Sequence, residues 1–219
     1  MRVISNISSE LMEILTDFSD FFFSRDLTNL ANSIGKNPNT YGVASLEKGD
    51  EACSVEYLQE ALKDTQKFGF PRHSWGLELK FDSVFFDDPE LKTKTAATNQ
   101  KLMNFFGARN NALQMFYPPG GYIGWHNNGN AAGYNIVLSC NPGGDGEFLH
   151  WDHVNNKMNV FHDEPGWNCK VGYFGKYSEN EKVYWHCAKT RSPRLTLSYV
   201  IYDKNLWESM VEDIDADLQ

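Results

Sequence analysis

The sequence lacks most of the features by which common function classes are recognised. No stretch approaches the eighteen apolar residues of a membrane-crossing helix. Met1 to Ile14 lacks the basic, apolar and small-residue order of an export signal. Cationic residues are in short supply, with 20 Lys and Arg against 29 Asp and Glu and a formal charge of −9, so most of the surface repels a phosphate backbone. The four cysteines, Cys53, Cys140, Cys169 and Cys187, are scattered without CxxC spacing, which excludes zinc ribbons and dithiol redox motifs and leaves reduced, structural thiols as the expectation. There is no glycine-rich phosphate loop, no Ser/His/Asp nucleophile pattern, no internal repeat and no low-complexity segment. A cytoplasmic protein with no membrane and no nucleic-acid partner is expected. The oligomeric state is left open.

What is present divides into two kinds of periodicity. Ile4, Ile7, Leu11, Ile14, Leu15, Phe18, Phe21 and Phe22 recur at three- and four-residue steps, continued after a break near Asp26 by Leu27, Leu30 and Ile34; these are core-facing helical stripes. Gly35 to Asp50 reads as a connection, Val55 to Phe68 as a short amphipathic helix, and Leu77 to Phe86 as a strand. Asp88-Pro89-Glu90 opens a further helix, with Asp88 as cap and Pro89 in the first turn, ending before Gly107. From Leu113 the period becomes two, and eight short runs follow: LQMFY, YIGWHNN, YNIVLSC, EFLHWD, MNVFH, CKVGYF, VYWHCA and RLTLSYVIY. PGGDG between the third and fourth has the composition of a tight hairpin. Many short strands with glycine-rich turns imply an antiparallel barrel or sandwich, because closure or stacking removes exposed edges. Leu206 to Leu218 then fits a final helix with an acidic outer face. The expected organisation is one domain over 1–219: a helical cover with a supporting strand (1–112), a β core (113–203) and a C-terminal helix (204–219).

Alternate side chains on a strand share a face. On that parity Tyr122, Gly124, His126 and Asn128 point one way, with Trp125 and Trp185 turned to the opposite, core side. In the last strand Arg194, Thr196 and Ser198 oppose the apolar face of Leu195, Leu197, Tyr199 and Ile201. A guanidinium followed by hydroxyls suits a small carboxylate, although an ordinary polar strand face has the same composition. His186 shares a face with Tyr184 and Ala188. Alone it reads as a structural histidine, but closure of the sheets can bring it to His126 and Arg194. Asn135, in an otherwise apolar run, needs a partner if it turns inward.

YPPGGYIGWHNN, and about sixty residues later HCAKTRSPRLTLSYVIY, resemble the iron(II)- and 2-oxoglutarate-dependent oxygenases of the prolyl-hydroxylase type. The resemblance covers roughly Leu113 to Asp203. It implies a mainly β fold with flanking helices, a double-stranded β-helix (jelly roll, cupin-like) with an N-terminal helical cover. It also implies Fe(II), 2-oxoglutarate and O2 as cofactors. His126 matches the family's first metal ligand, His186 its distal ligand, and Arg194 with Thr196 its co-substrate clamp. Tyr117, and after it Tyr122, are the candidates for a hydroxyl beside the co-substrate. The implied reaction is hydroxylation of a small molecule or of an amino-acid or peptidyl side chain, coupled to decarboxylation of 2-oxoglutarate.

At Asn128 the family pattern has a carboxylate, the third member of the facial triad that holds iron(II). An amide oxygen is a weaker, neutral donor. Four outcomes follow: Asn128 ligates through oxygen, water fills the position, a halide fills it as in related radical halogenases, or catalysis is lost and a jelly-roll binding protein remains. A second His-x-Asp string, His150-Trp151-Asp152, competes for the role of ligand pair. It lies only thirty-six residues before His186, lacks the preceding Tyr-x-x-Gly, and is followed by His153 and His162. In the first reading Asp152 still helps to line the pocket.

Overall fold

Helix α5, Pro89–Phe106, shows how local chemistry sets the boundaries. The Asp88 carboxylate accepts from the backbone N–H groups of Glu90 and Leu91, Pro89 takes a first-turn position where no N–H is needed, and Gly107 ends the helix at φ 61°. A computed structural model of the protein describes residues 1–34, 44–63, 69, 71–79 and 88–218. The remaining helices are α1 (Ser9–Phe23), α2 (Leu27–Ile34), α3 (Leu46–Ala52), α4 (Val55–Lys63) and α6 (Lys204–Ile214). The strands are β1 (Arg2–Ile4), β2 (Ser74–Trp75), β3 (Leu77–Glu78), β4 (Asn110–Tyr117), β5 (Tyr122–His126), β6 (Gly133–Asn141), β7 (Gly146–Asp152), β8 (Lys157–His162), β9 (Gly166–Phe174), β10 (His186–Thr190) and β11 (Arg194–Ile201).

The strands form two sheets, β1-β9-β6-β11-β4-β3 and β2-β5-β10-β7-β8, with every named pair antiparallel. Within the core, β4, β6, β9 and β11 lie in one sheet and β5, β7, β8 and β10 in the other, so β7–β8 is the one consecutive core pair that forms a hairpin. This winding is the double-stranded β-helix, and the protein is mainly β with flanking helices. PGGDG is therefore not a hairpin. It is the corner by which the chain leaves β6 for the other sheet, and Asn141 organises it: its Oδ1 accepts from the N–H groups of Gly143 and Gly144 and from Ser192 Oγ, and its Nδ2 donates to Thr190. Gly144 at φ 71° supplies the turn's left-handed residue.

Each sheet has one face against helices and one toward the other sheet. Leu195, Leu197, Tyr199 and Ile201 of β11 pack with Ile136, Leu138 and Cys140 of β6 against Leu11, Leu15, Phe18 and Phe22 of α1, Leu102 and Phe106 of α5, and Ile214 of α6. On the smaller sheet Trp125, Leu149, Trp151 and Cys187 pack against Cys53 and Leu58 beneath α3 and α4, with Trp185 in the same cluster. Between the sheets lie Tyr117, Ile123, Val137, Phe148, Phe174, Tyr184 and Ala188.

Several boundaries differ from the periodicity. Ile4 belongs not to the first helix but to β1, which pairs with Cys169–Val171 of β9, and the helical stripe begins at Leu11. Residues 46–50 are helical rather than a connection, because the Ser45 side chain caps Lys48 N. The strand expected over 77–86 is two residues in β3, and 80–86 of that expectation lie outside the described residues, as do 35–43 of the expected connection and 64–68 of the helix expected over 55–68. No described helix is long and apolar enough to cross a membrane.

Phe106 is fully buried and meets Tyr199 at a ring distance of 5.1 Å. Phe106→Ala is expected to lower the unfolding free energy by about 3–5 kcal/mol, read as a lower denaturant midpoint at unchanged m-value. A change below 1 kcal/mol contradicts the assigned packing.

Candidate metal centre and anion site

The geometry of the site starts from an irregularity in β5. Against β10, His126 pairs with His186 and Ile123 with Ala188, so three steps on β5 match two on β10. The extra residue is a β-bulge, which reverses side-chain parity along the strand. His126 and Ile123 therefore both face the space between the sheets, while Trp125 stays on the helix side. Tyr122 and Gly124 do not share the His126 face as strict alternation predicts. Tyr122 is buried with Ala52 and Trp75, and a Cβ at Gly124 would press on Ala52 and the His73 carbonyl. Tyr122 is thus not brought to the interior that holds His126 and Tyr117.

His126 and His186 face each other with ring centroids 4.1 Å apart. Each ring nitrogen Nδ1 lies 2.8 Å from a backbone carbonyl two residues earlier, Gly124 for His126 and Tyr184 for His186. A carbonyl only accepts, so the proton sits on Nδ1 and the Nε2 lone pair is left for a metal. Burial pushes His126 down to about 4 against the opposing pull of the Gly124 carbonyl. It pushes His186 well below its ordinary value, helped by repulsion from His126. Both rings are neutral near pH 7, the form that binds a cation.

Asn128 follows the end of β5 in a half-buried turn, where its carbonyl accepts from Ala131 N at 2.9 Å. Gly69 packs on this turn so tightly that a Cβ there would sit 2.6 Å from Gly129 N. Among the described residues no group of three His, Cys, Asp or Glu is placed to share an ion. The donors brought together here are two imidazoles, chemistry that fits a weakly held divalent transition metal.

His150 lies opposite His186 on β7 and stacks on Tyr184 at 3.9 Å and 6°, with burial lowering it to about 4. The carboxylate of Asp152, its partner in the competing string, is engaged at the β7–β8 turn, accepting from Val154 N, Asn155 N and Asn155 Nδ2, while its charge still reaches His150. Both carboxylate oxygens are taken up there, so the string is not set up as a His150/Asp152 ligand pair. Asn135 turns inward and donates to the Gly133 carbonyl of its own strand.

Arg194 and Thr196 share the inner face of β11, with Arg194 Nη1 donating to Thr196 Oγ1 at 2.6 Å. The guanidinium carbon lies 5.9 Å from the Tyr117 ring centroid. Arg194 Nη2 and the Tyr117 hydroxyl are both buried without a hydrogen-bond partner among the described residues. Such orphaned donors are costly unless a ligand meets them, so the residues fit an organic anion. Burial raises the Tyr117 phenol and keeps it a donor.

Two residues of this region were not singled out from the sequence. Asp163 accepts from Arg194 Nε at 2.6 Å and from Lys170 Nζ at 2.8 Å, all three side chains being at most 2% exposed. Burial alone would raise the Asp163 carboxyl, but the charges of Arg194 and Lys170 outweigh it and hold it well below the usual range. The available signal was Lys170 itself, a charge inside the apolar strand CKVGYF.

In the metal-free protein the ring protons of His126 and His186 are expected to keep neutral-form shifts in an NMR titration from pH 7.5 to 5.5. Unfolded imidazoles, with pKa about 6.5, take up protons that the folded rings refuse. Stability is therefore full above about pH 6.5 and falls as pH drops toward about 4. A His126→Gln/His186→Gln variant loses the part of that slope owed to the pair; an unchanged slope means the rings are not held neutral.

No family model matches the chain, and no curated protein matches it. Among solved structures it is similar to a Trichoplax adhaerens prolyl hydroxylase in complex with a hypoxia inducible factor oxygen degradation domain peptide fragment, with 12% identity over 94% of this chain and 97% of that one and a TM-score of 0.38. It is also similar to a Pseudomonas putida prolyl-4-hydroxylase, with 13% identity over 72% and 86% and a TM-score of 0.33. A third likeness is to Peruvianin-I, a cysteine peptidase from Thevetia peruviana latex, with 13% identity over 40% and 47%, so the chain spans about half of that structure's length, and a TM-score of 0.29.

Proposed function

We propose that the protein is an iron(II)- and 2-oxoglutarate-dependent oxygenase that hydroxylates a small molecule or an amino-acid or peptidyl side chain. One observation carries the reading: two neutral imidazoles whose Nε2 atoms have no partner among the described residues face an interior whose wall also holds a buried guanidinium and phenol with donors unmet among those residues. His126 and His186 hold the metal, and Asn128 offers an amide oxygen as third donor. An iron(II) ion held there supplies the oxygen chemistry, coupling decarboxylation of 2-oxoglutarate to oxidation of a C–H bond.

The chain's own contribution is position and dryness. The Gly124 and Tyr184 carbonyls fix both ring tautomers, and burial removes any need to deprotonate the rings before a cation binds. Arg194 and Thr196 bind the distal carboxylate of 2-oxoglutarate and Tyr117 adds a phenolic donor. Phe148, Phe174 and Tyr184, packed around His186 at ring distances of 5.6, 4.8 and 5.8 Å, exclude water. Asn128 supports a second reading, a jelly-roll protein that binds an organic anion without turnover. Within the oxygenase reading, a halogenase-like use of the open ligand position is the catalytic alternative to hydroxylation.

Anaerobic addition of iron(II) and 2-oxoglutarate is expected to give the weak visible charge-transfer band of a chelated co-substrate. Arg194→Ala should weaken 2-oxoglutarate binding about 10- to 100-fold, as expected for loss of charge-assisted hydrogen bonds, with iron affinity nearly unchanged. No band at millimolar iron, with the anion still bound, decides for the binding protein. Asn128→Asp should tighten iron binding, and unchanged affinity places that side chain away from the metal.

A further inference from the structure

The buried ionic cluster beside the anion site has an unequal charge count. Two cations, Arg194 and Lys170, share one carboxylate, Asp163, with Nε–Oδ2 and Nζ–Oδ1 distances of 2.6 and 2.8 Å. Asp163 is the one carboxylate bonded to either cation among the described residues. Its Oδ1 also accepts from Ser139 Oγ at 3.1 Å. The backbone of β7 closes on the cluster: a Cβ at Gly146 would collide with Asp163 Oδ2 and lie 2.6 Å from Asn141 Nδ2 and 3.0 Å from Arg194 Nε. With both cations protonated the cluster carries a surplus of one positive charge at 0–2% exposure, and burial together with the Arg194 charge draws the Lys170 ammonium below its ordinary value against the pull of Asp163; a counter-anion relieves that cost.

We propose that Lys170 and Asp163 set the specificity of the anion site: Asp163 locks Arg194 through Nε so that Nη2 remains for the ligand, and Lys170 restores the positive charge that Asp163 cancels. The site therefore accepts a single carboxylate head at the guanidinium. For the identity of that carboxylate the inference rests on the 2-oxoglutarate reading; the charge count does not. Lys170 is a specificity-determining residue acting through Asp163, and Asp163 is a positioning residue for Arg194. Lys170 lies on β9, whereas the clamp motif lies on β11 across β6, so the charge is supplied from outside the motif.

The test compares wild type with Lys170→Gln, which keeps an amide donor for Asp163 but cancels the surplus, and with Asp163→Asn/Lys170→Gln, which restores it. Calorimetry on the metal-free proteins uses glutarate, a dicarboxylate without the keto group. Anaerobic iron-loaded proteins are titrated with 2-oxoglutarate and with 2-oxopentanoate, its analogue lacking the distal carboxylate. The expected result is at least tenfold weaker glutarate and 2-oxoglutarate binding in Lys170→Gln, 2-oxopentanoate affinity within twofold of wild type, and recovery in the double variant. If Lys170→Gln does not fold, Lys170→Met replaces it. Equal losses for both keto acids, no loss, or a double variant as weak as the single overturns the charge count, as does a wild type that binds neither glutarate nor 2-oxoglutarate. Glutarate binding with the expected pattern, but no charge-transfer band with 2-oxoglutarate, overturns the oxygenase reading and leaves the charge count standing.

Discussion

Everything at the centre of this molecule depends on one antiparallel pairing, that of β5 with β10. The two strands are far apart in the chain, yet their register sets His126 directly opposite His186. Directly opposed residues in such a pair have their Cβ atoms about 5 Å apart, which is why two rings can converge with no loop to hold them. The double-stranded winding makes the pairing unavoidable: with consecutive core strands mostly assigned to opposite sheets, β5 finds its partner late in the chain. Backbone carbonyls then orient both rings, so the arrangement is a property of the ladder more than of individual side chains.

The same winding explains why the interior can be electrically demanding. Helices take up the outer faces of both sheets, and those layers supply the apolar burial that stabilises the fold. The inner faces are thereby released from that task. They carry the neutral imidazoles, an orphaned phenol and a guanidinium whose carboxylate partner is itself shared. Polar groups in such surroundings cost stability when unmatched, and that cost is tolerable because the apolar cores lie elsewhere.

Much of the architecture was legible because short strands and helical stripes write different periods. Most of the core strands and the capped helix α5 appear where periodicity and the Asp-Pro…Gly punctuation place them, while the run Val183–Ala188 becomes strand only from His186 and continues to Thr190. What periodicity could not carry was pairing. PGGDG has hairpin composition, yet it turns a corner between sheets because β6 is claimed by β9 and β11. In the site, Arg194 and Thr196 were legible as neighbours by simple alternation. Tyr122 was misplaced because alternation assumes an unbroken ladder, and the bulge that breaks it is visible only against the partner strand. Asp163 escaped notice for a related reason: it lies just past the end of β8, where no period applies, and acquires meaning only from the cations that converge on it.

The bulge in β5 also constrains how this chain can change. Three steps from Ile123 to His126 match two on β10, so loss of the one extra residue between them would restore plain alternation and leave both of those side chains facing inward. The spare residue is slack placed upstream of the imidazole: a shortening of the strand there is absorbed by the bulge instead of being passed on to position 126.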